Sequence, residues 1–202
     1  MAIRSCKPRA PGDPMPNTVA RHHLPGGREH GGGIGRLVGY IVDEAAHTGK
    51  RHVITDSRGP RLSLFASPFH LALSAAAIVR DRVSDPTRIQ HIHVAGRGST
   101  VRKLVLTAVA RAVGGIHVLH LHDPEYADDF TRRPAWARRA VTAMFRGADH
   151  VVALGDRDRN VLENLLGVPR DRLSVLHNAV PDPGPGPVPR DAAGGPVRIL
   201  FL

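Results

Sequence analysis

The chain of 202 residues predicts an α/β fold, a Rossmann-like doubly wound parallel sheet over about residues 31–178. Three observations predict it. From residue 31 onward, segments of helical spacing alternate with extended segments. The extended segments are short, continuous and rich in β-branched residues, the pattern of strands buried on both faces by helices. Gly, Ser, Asp and Pro fall at the positions that start and stop helices.

The elements follow in order. Residues 1–30 are rich in Pro, Gly, Arg and His and read as a flexible leader, in which only NTVARHHL (17–24) has the makings of a weak first strand. GGGIGRLVGYIVDEAAHTGK (31–50) is a glycine turn and a helix with Ile34, Leu37, Val38, Ile41, Val42 and Ala45 on one face, closed by Gly49. RHVIT (51–55) is a strand, and SPFHLALSAAAIVRDRV (67–83) a helix with Ser67 as N-cap and Pro68 in its first turn. IQHIHV (89–94) is a strand, STVRKLVLTAVARAVG (99–114) a helix capped by Ser99 and ended by Gly114, and IHVLHL (116–121) a strand. PAWARRAVTAMFRG (134–147) is a helix opened by Pro134, HVVAL (150–154) a strand, DRDRNVLENLLG (156–167) a helix capped by Asp156, and LSVLH (173–177) a strand. The connections between parallel strands are expected to be right-handed. AVPDPGPGPVPRDAAGGP (179–196), with six prolines and four glycines, can be neither helix nor interior strand and reads as a linker. VRILFL (197–202) then reads as the first strand of a further, missing domain.

Composition narrows the function. Formal net charge is +10, and 25 of the 28 basic residues are arginine. Arginine suits phosphate groups and acidic membrane surfaces. The single cysteine, Cys6, excludes an intrachain disulfide and a cysteine-based zinc cluster. No apolar run approaches the roughly 20 residues of a membrane span. The first 30 residues lack the apolar stretch of a signal peptide. The expectation is a cytoplasmic protein, attached at most to the inner face of the membrane. In residues 134–147, Trp136, Ala137, Ala140, Val141, Met144 and Phe145 cover one side and are expected to pack on the sheet. Arg138, Arg139 and Arg146 cover the other, with Arg132 and Arg133 just before, and that side suits an anionic bilayer.

Ligands of an open parallel sheet bind at the carboxyl ends of its strands. His93 and His122 are predicted there, facing the cleft, with His91 and His120 deeper on the same side of each strand. Three chemistries remain open for these two His-x-His pairs. All four could bind a metal. His122 with Asp123 could supply acid–base or polar contacts to a substrate. They could also be ordinary strand-end histidines. GGGIGR (31–36) opens a helix whose free N–H groups suit a phosphate, although it is not the G-x-G-x-x-G pattern. AGRGSTVRK (95–103) places Arg97, Arg102 and Lys103 around a helix start at Ser99, an anion site by charge and dipole.

With these residues assembled, the chain resembles the N-terminal half of a glycosyltransferase family 4 enzyme of the GT-B fold. Four stretches carry the resemblance: GGGIGRLVGYIVDEAAHTGKRHVIT, IQHIHVAGRGSTVRK, HVLHLHDPEY and ADHVVALGDRDRNVLENLLGVPRDRLSVLHNAVPDP, with RILFL matching the strand that opens the donor-binding domain. The resemblance implies a retaining transfer of a sugar from a nucleotide-sugar co-substrate to a glycan or lipid-linked acceptor. The setting it implies is bacterial surface-glycan or exopolysaccharide synthesis, with no metal and no other cofactor. It assigns His122 to the reacting sugar and sets Gly32, Gly33 and Asn178 beside the donor. It places His93, Arg97, Ser99, Arg102, Lys103, Asp123 and Glu125 in the acceptor cleft. Two departures stand out: the strand before the glycine loop is poor or missing, and the donor-binding half is not in residues 1–202, which are therefore expected to be inactive alone.

Two rival functions remain. One is a non-enzymatic domain binding phosphate or nucleic acid, which the positive charge favours. One Trp, two Tyr and five Phe leave few aromatic platforms for stacking bases, so no nucleic-acid partner is expected. The other is a metal-dependent hydrolase built on the His-x-His pairs.

Overall fold

The structure, a computed structural model, describes residues 20–178. Strands β1 (Ala20–Leu24), β2 (His52–Asp56), β3 (Ile89–Val94), β4 (His117–Leu121), β5 (His150–Ala153) and β6 (Leu173–Val175) form one sheet in the order β2-β1-β3-β4-β5-β6. Every neighbouring pair is parallel. The helices are α1 (Gly27–His30), α2 (Gly32–His47), α3 (Ala66–Ser84), α4 (Gly98–Ala112), α5 (Tyr126–Thr131), α6 (Ala135–Arg146) and α7 (Asp156–Asn160), the last continuing as a π-helical turn over Val161–Leu165. The predicted α/β class and parallel sheet are what the chain forms.

The apolar core lies on one face of the sheet. Ile92, Val94, Leu119, Leu121, Val151 and Ala153 point that way and pack against Ile78 of α3, Leu106 of α4 and Val141, Met144 and Phe145 of α6. Full burial of each such side chain contributes about 1.5–3 kcal/mol. Only the connection from β1 to β2 runs toward the β2 edge, so a right-handed crossover puts α2 on the opposite face.

The first strand corrects the sequence-based boundary. The weak strand expected within 17–24 is formed by Ala20–Leu24, a fully buried interior strand between β2 and β3, and Gly27–His30 is a helical turn, so residues 20–30 belong to the domain and not to a leader. ARHHL hides this because its polar side chains have buried partners. Arg21 donates from Nε and Nη2 to both carboxylate oxygens of Asp81 on α3, at 2.5 and 3.0 Å. His23 bonds Ser74 at 2.7 Å and Gln90 at 2.8 Å. Asp56, at the end of β2, closes the turn after β1 by accepting from the backbone N–H groups of Gly26, Arg58 and Gly59.

Some helix starts also differ from the predicted ones. α3 begins at Ala66 with Phe65 as its N-cap, and Ser63, just before it, accepts through Oγ from the Ala66 N–H at 3.2 Å. Ser67 reaches back to accept from the Ser63 N–H at 3.0 Å, in the manner of a capping box. Ser99 sits inside the first turn of α4 rather than at its cap, which is Arg97. α5 is a helix that sequence periodicity does not announce. The linker and the strand expected at 179–202 lie outside the described residues, as do residues 1–19.

Candidate functional site

The sheet face opposite the core carries six histidines side by side: His22, His52, His91, His93, His120 and His122. Register brings them together, since His22 pairs with His91 and His93 with His120 across parallel strands. The rings pack closely: His91 and His93 stack with centroids 4.5 Å apart, while His120–His122 at 4.0 Å and His93–His120 at 5.4 Å are tilted against each other. Four are joined in a hydrogen-bonded row. His52 Nδ1 lies 2.8 Å from His22 Nε2, His22 Nδ1 lies 3.0 Å from His93 Nε2, and His93 Nδ1 lies 2.8 Å from His122 Nε2. Each contact needs one N–H and one lone pair. The row is satisfied only if every ring carries its proton on Nδ1, or every ring on Nε2.

Burial keeps these rings neutral. Loss of water, then the charges of neighbouring histidines, lowers His22 and His120 to about 2 and His122 to about 3. His91 falls to about 4 and His93 well below 6.5 for the same reasons. Two ring sets place one ligand nitrogen each within 4.8 Å of one another: His22, His91 and His93, and His93, His120 and His122. Among the described residues, both ring nitrogens of His120 and Nε2 of His91 have no hydrogen-bond partner although they are buried. Sequence reasoning found the two His-x-His pairs and missed His22 and His52. Their signal was the strand period itself: His22 shares its face with Ala20, which pairs with His52.

His93 and His122 stand differently from the expectation that both face the cleft. His93 is fully buried, walled in between His22 and His122. His122 is half-buried just past β4, and its backbone N–H donates to the Val94 carbonyl. Its Nε2 is occupied by His93, which leaves Nδ1 without a partner among the described residues.

Around His122 the strand-end loops are tied together. Asp123 accepts from the Gly96 N–H at 2.8 Å and the Glu125 N–H at 3.0 Å. A Cβ at Gly96 would overlap the Asp123 carboxylate, so only glycine allows this approach. Arg97 has φ +57°, the left-handed region that a non-glycine residue rarely adopts. Asp129 holds its N–H at 3.1 Å while Arg133, paired with Asp129 at 2.6 Å, donates to its carbonyl. Arg97 and Glu125 are exposed and line, with Ala95, Asp123 and Arg132, a cavity of about 360 Å³.

The other predicted residues scatter. Lys103 is fully buried, not in a cleft, and its Nζ donates to Ser57 Oγ at 2.7 Å and the His23 carbonyl at 3.2 Å. Desolvation, then Arg102, lowers it to about 7. Arg102 is half-buried and Ser99 buried. Gly32 and Gly33 are exposed at the start of α2 beside open space. In the same glycine stretch, Gly31 and Gly35 instead let α1 and α2 approach, because a Cβ on either would meet the backbone of Gly27. Asn178 is exposed at the end of the described chain. On α6, Ala137, Val141, Met144 and Phe145 are buried as predicted, but Trp136 is 73% exposed. Arg138, Arg139 and Arg146 join Arg111 and Arg172 along a groove of about 790 Å³. No described helix is long and apolar enough to cross a membrane.

Comparison with known proteins gives one family. The family model of Glycosyltransferase Family 4 matches residues 31–182. Among solved structures, a glycosyltransferase from Rickettsia africae ESF-5 is similar at 13% identity and a TM-score of 0.43, over 79% of this chain and 42% of that one. The chain thus spans less than half the length of that structure. No curated protein sequence matches.

Proposed function

Because this chain belongs to glycosyltransferase family 4, we propose that it forms the acceptor-side half of a GT-B enzyme that moves a sugar from a nucleotide-sugar donor to a glycan or lipid-linked acceptor. A linker over 179–196 leads in this reading to a donor-binding domain that begins at 197–202. The transfer is retaining, needs no metal or other cofactor, and serves bacterial surface or exopolysaccharide synthesis in the cytoplasm.

The observation that carries the reading is the placement of His122. Its backbone is held at the end of a buried strand, its Nε2 is held by His93 at 2.8 Å, and its Nδ1 has no described partner. A ring fixed at one nitrogen offers the other to a sugar hydroxyl at no cost in orientation. The exposed Arg97 and the half-buried Arg102 stand at the start of α4, where positive charge and helix N–H groups suit an anionic group on the acceptor. Gly32 and Gly33 lie at the start of α2, whose N–H groups suit the donor diphosphate, and Asn178 belongs with them to the donor side. Asp123 acts by holding the Gly96 loop, and Glu125 reaches the acceptor cavity with Arg97. Lys103 and Ser99, being buried, support this wall from within. Trp136 and the α6 arginines suit peripheral contact with an anionic membrane.

The test is release of nucleoside diphosphate from a panel of nucleotide sugars, with lipid-linked and glycan acceptors, by a polypeptide that joins this chain to its donor-binding domain. Acceptor-dependent release that the 202-residue chain alone does not show is the expected result. Turnover by the chain alone, or tight salt-sensitive binding of a random oligonucleotide without any transfer, contradicts the reading.

A further inference from the structure

We propose that His93, His120 and His122 form a three-imidazole binding site for a divalent cation of the zinc type. Each offers one ligand nitrogen, and the three atoms lie within 4.8 Å of one another. Zinc takes imidazole nitrogens at about 2.0–2.1 Å, so tetrahedral ligands stand about 3.4 Å apart, and small ring rotations close the set. Three histidines with a fourth position open is a known zinc arrangement.

His120 is the observation that points to a ligand. It is 0% exposed, and neither ring nitrogen has a hydrogen-bond partner among the described residues. A buried polar ring without partners is costly. Coordination supplies the missing partner. The other trio is less suited, because its unpartnered ring, His91, is only partly buried and lacks a partner at one buried nitrogen rather than two.

The surrounding row supplies outer-shell support. Metal-bound histidines usually donate their second N–H to a fixed acceptor. With the cation between His93 Nδ1 and His122 Nε2, His93 carries its proton on Nε2 and donates to His22 Nδ1. His22 then donates through Nε2 to His52 Nδ1. The cation takes the place of the proton now shared between His93 and His122; that proton is passed along the row to end on His52 Nε2, or moves to His122 Nδ1 if the row started with every proton on Nε2, so each ring keeps one proton. The rings stay neutral and no proton leaves. His122 Nδ1–H remains available to a sugar hydroxyl. The site therefore coexists with the transferase reading and does not rest on it.

The test measures bound metal, not transfer. The 202-residue chain is stripped with a chelator and titrated with zinc against a chromophoric competitor, and with cobalt(II) as a spectroscopic probe. One equivalent of zinc is expected, with the intense visible bands of tetrahedral cobalt and no thiolate charge-transfer band. His120→Leu removes a ligand but fills its place with an apolar side chain. It should weaken zinc binding at least about 100-fold, more than loss of an outer-shell partner does, while the metal-free variant melts no lower than the metal-free parent. His150→Ala, elsewhere on the sheet, should bind as the parent does. Ring nitrogen spectra of the unmutated chain should move on zinc addition at His93, His120 and His122. The proposal is overturned if His120→Leu keeps the parent affinity, if the parent binds no zinc, or if the rings that move are His22 and His91 but not His120 and His122.

Discussion

His93 Nδ1 lies 2.8 Å from His122 Nε2, so the catalytic candidate is oriented by a residue that no substrate can reach. In an active full-length enzyme, His122→Ala should lower turnover about 10²-fold, the scale of lost positioning. The melting temperature should change little. His120→Ala removes a packed ring but unpairs no described hydrogen bond, so it should leave transfer nearly intact. Diphosphate release and calorimetry on both variants check this. Near-normal turnover of His122→Ala removes that residue from the chemistry.

Lys103 gives the chain a pH dependence on the alkaline side. Its ammonium is lowered from 10.5 to about 7 by burial and by Arg102. Between those values the unfolded chain binds a proton that the folded chain has lost, so stability rises with pH across the window and is lost as pH falls through about 7. The rise is at most about 1.4 kcal/mol per pH unit for one group. Urea unfolding at several pH values should show this slope in the parent and a flatter profile in Lys103→Met. Identical profiles would mean that Lys103 is not the group responsible.

Arg21 and Asp81 form a buried pair with side-chain exposures of 7% and 0%, and Asp81 also accepts from Arg88 at 2.6 Å. Asp81→Ala leaves the guanidinium without its counter-charge inside the protein. The expected loss is about 3–5 kcal/mol in equilibrium unfolding, because a broken buried pair leaves an uncompensated charge. Arg21→Met combined with Asp81→Leu should recover part of it, because Arg88 then keeps only Asp85, at 3.6 Å. A loss under about 1 kcal/mol for Asp81→Ala, the range of surface pairs, would show that the pair is open to solvent.

Trp136 is the only tryptophan and stands exposed at the start of α6 beside Arg138 and Arg139. If this surface meets a membrane, tryptophan emission should shift to the blue with vesicles containing anionic lipid and stay put with neutral ones. Arg138→Glu with Arg139→Glu should abolish the shift without lowering the melting temperature, since both side chains are exposed. An equal shift with neutral vesicles would refute an electrostatic contact.

Much of this protein is written locally. The strands around 89–94, 116–121 and 150–153 and the helices that follow them are legible because an apolar run or a 3.6-residue spacing records its own burial. The α/β class, the parallel sheet, the buried side of α6 and the pairing of His91 with His93 and His120 with His122 all come from such periods. So does the family, whose motifs lie along those segments.

What only the tertiary structure decided are the places where polar side chains are buried. Ala20–Leu24 reads as no more than a weak strand in a leader because Arg21, His22 and His23 look solvent-seeking. They are interior because Asp81, Ser74, Gln90 and His93 come to meet them from other elements. Lys103 reads as a cleft cation and is buried under Ser57 and the His23 carbonyl for the same reason. Trp136 reads as core and is exposed, because α6 has apolar residues enough to cover the sheet without it. The six-histidine row exists only once register has aligned β2, β1, β3 and β4. Burying an apolar group is favourable against any apolar neighbour, so its pattern survives in the sequence. Burying a polar group is tolerable only against particular partners, and those partners lie dozens of residues away along the chain.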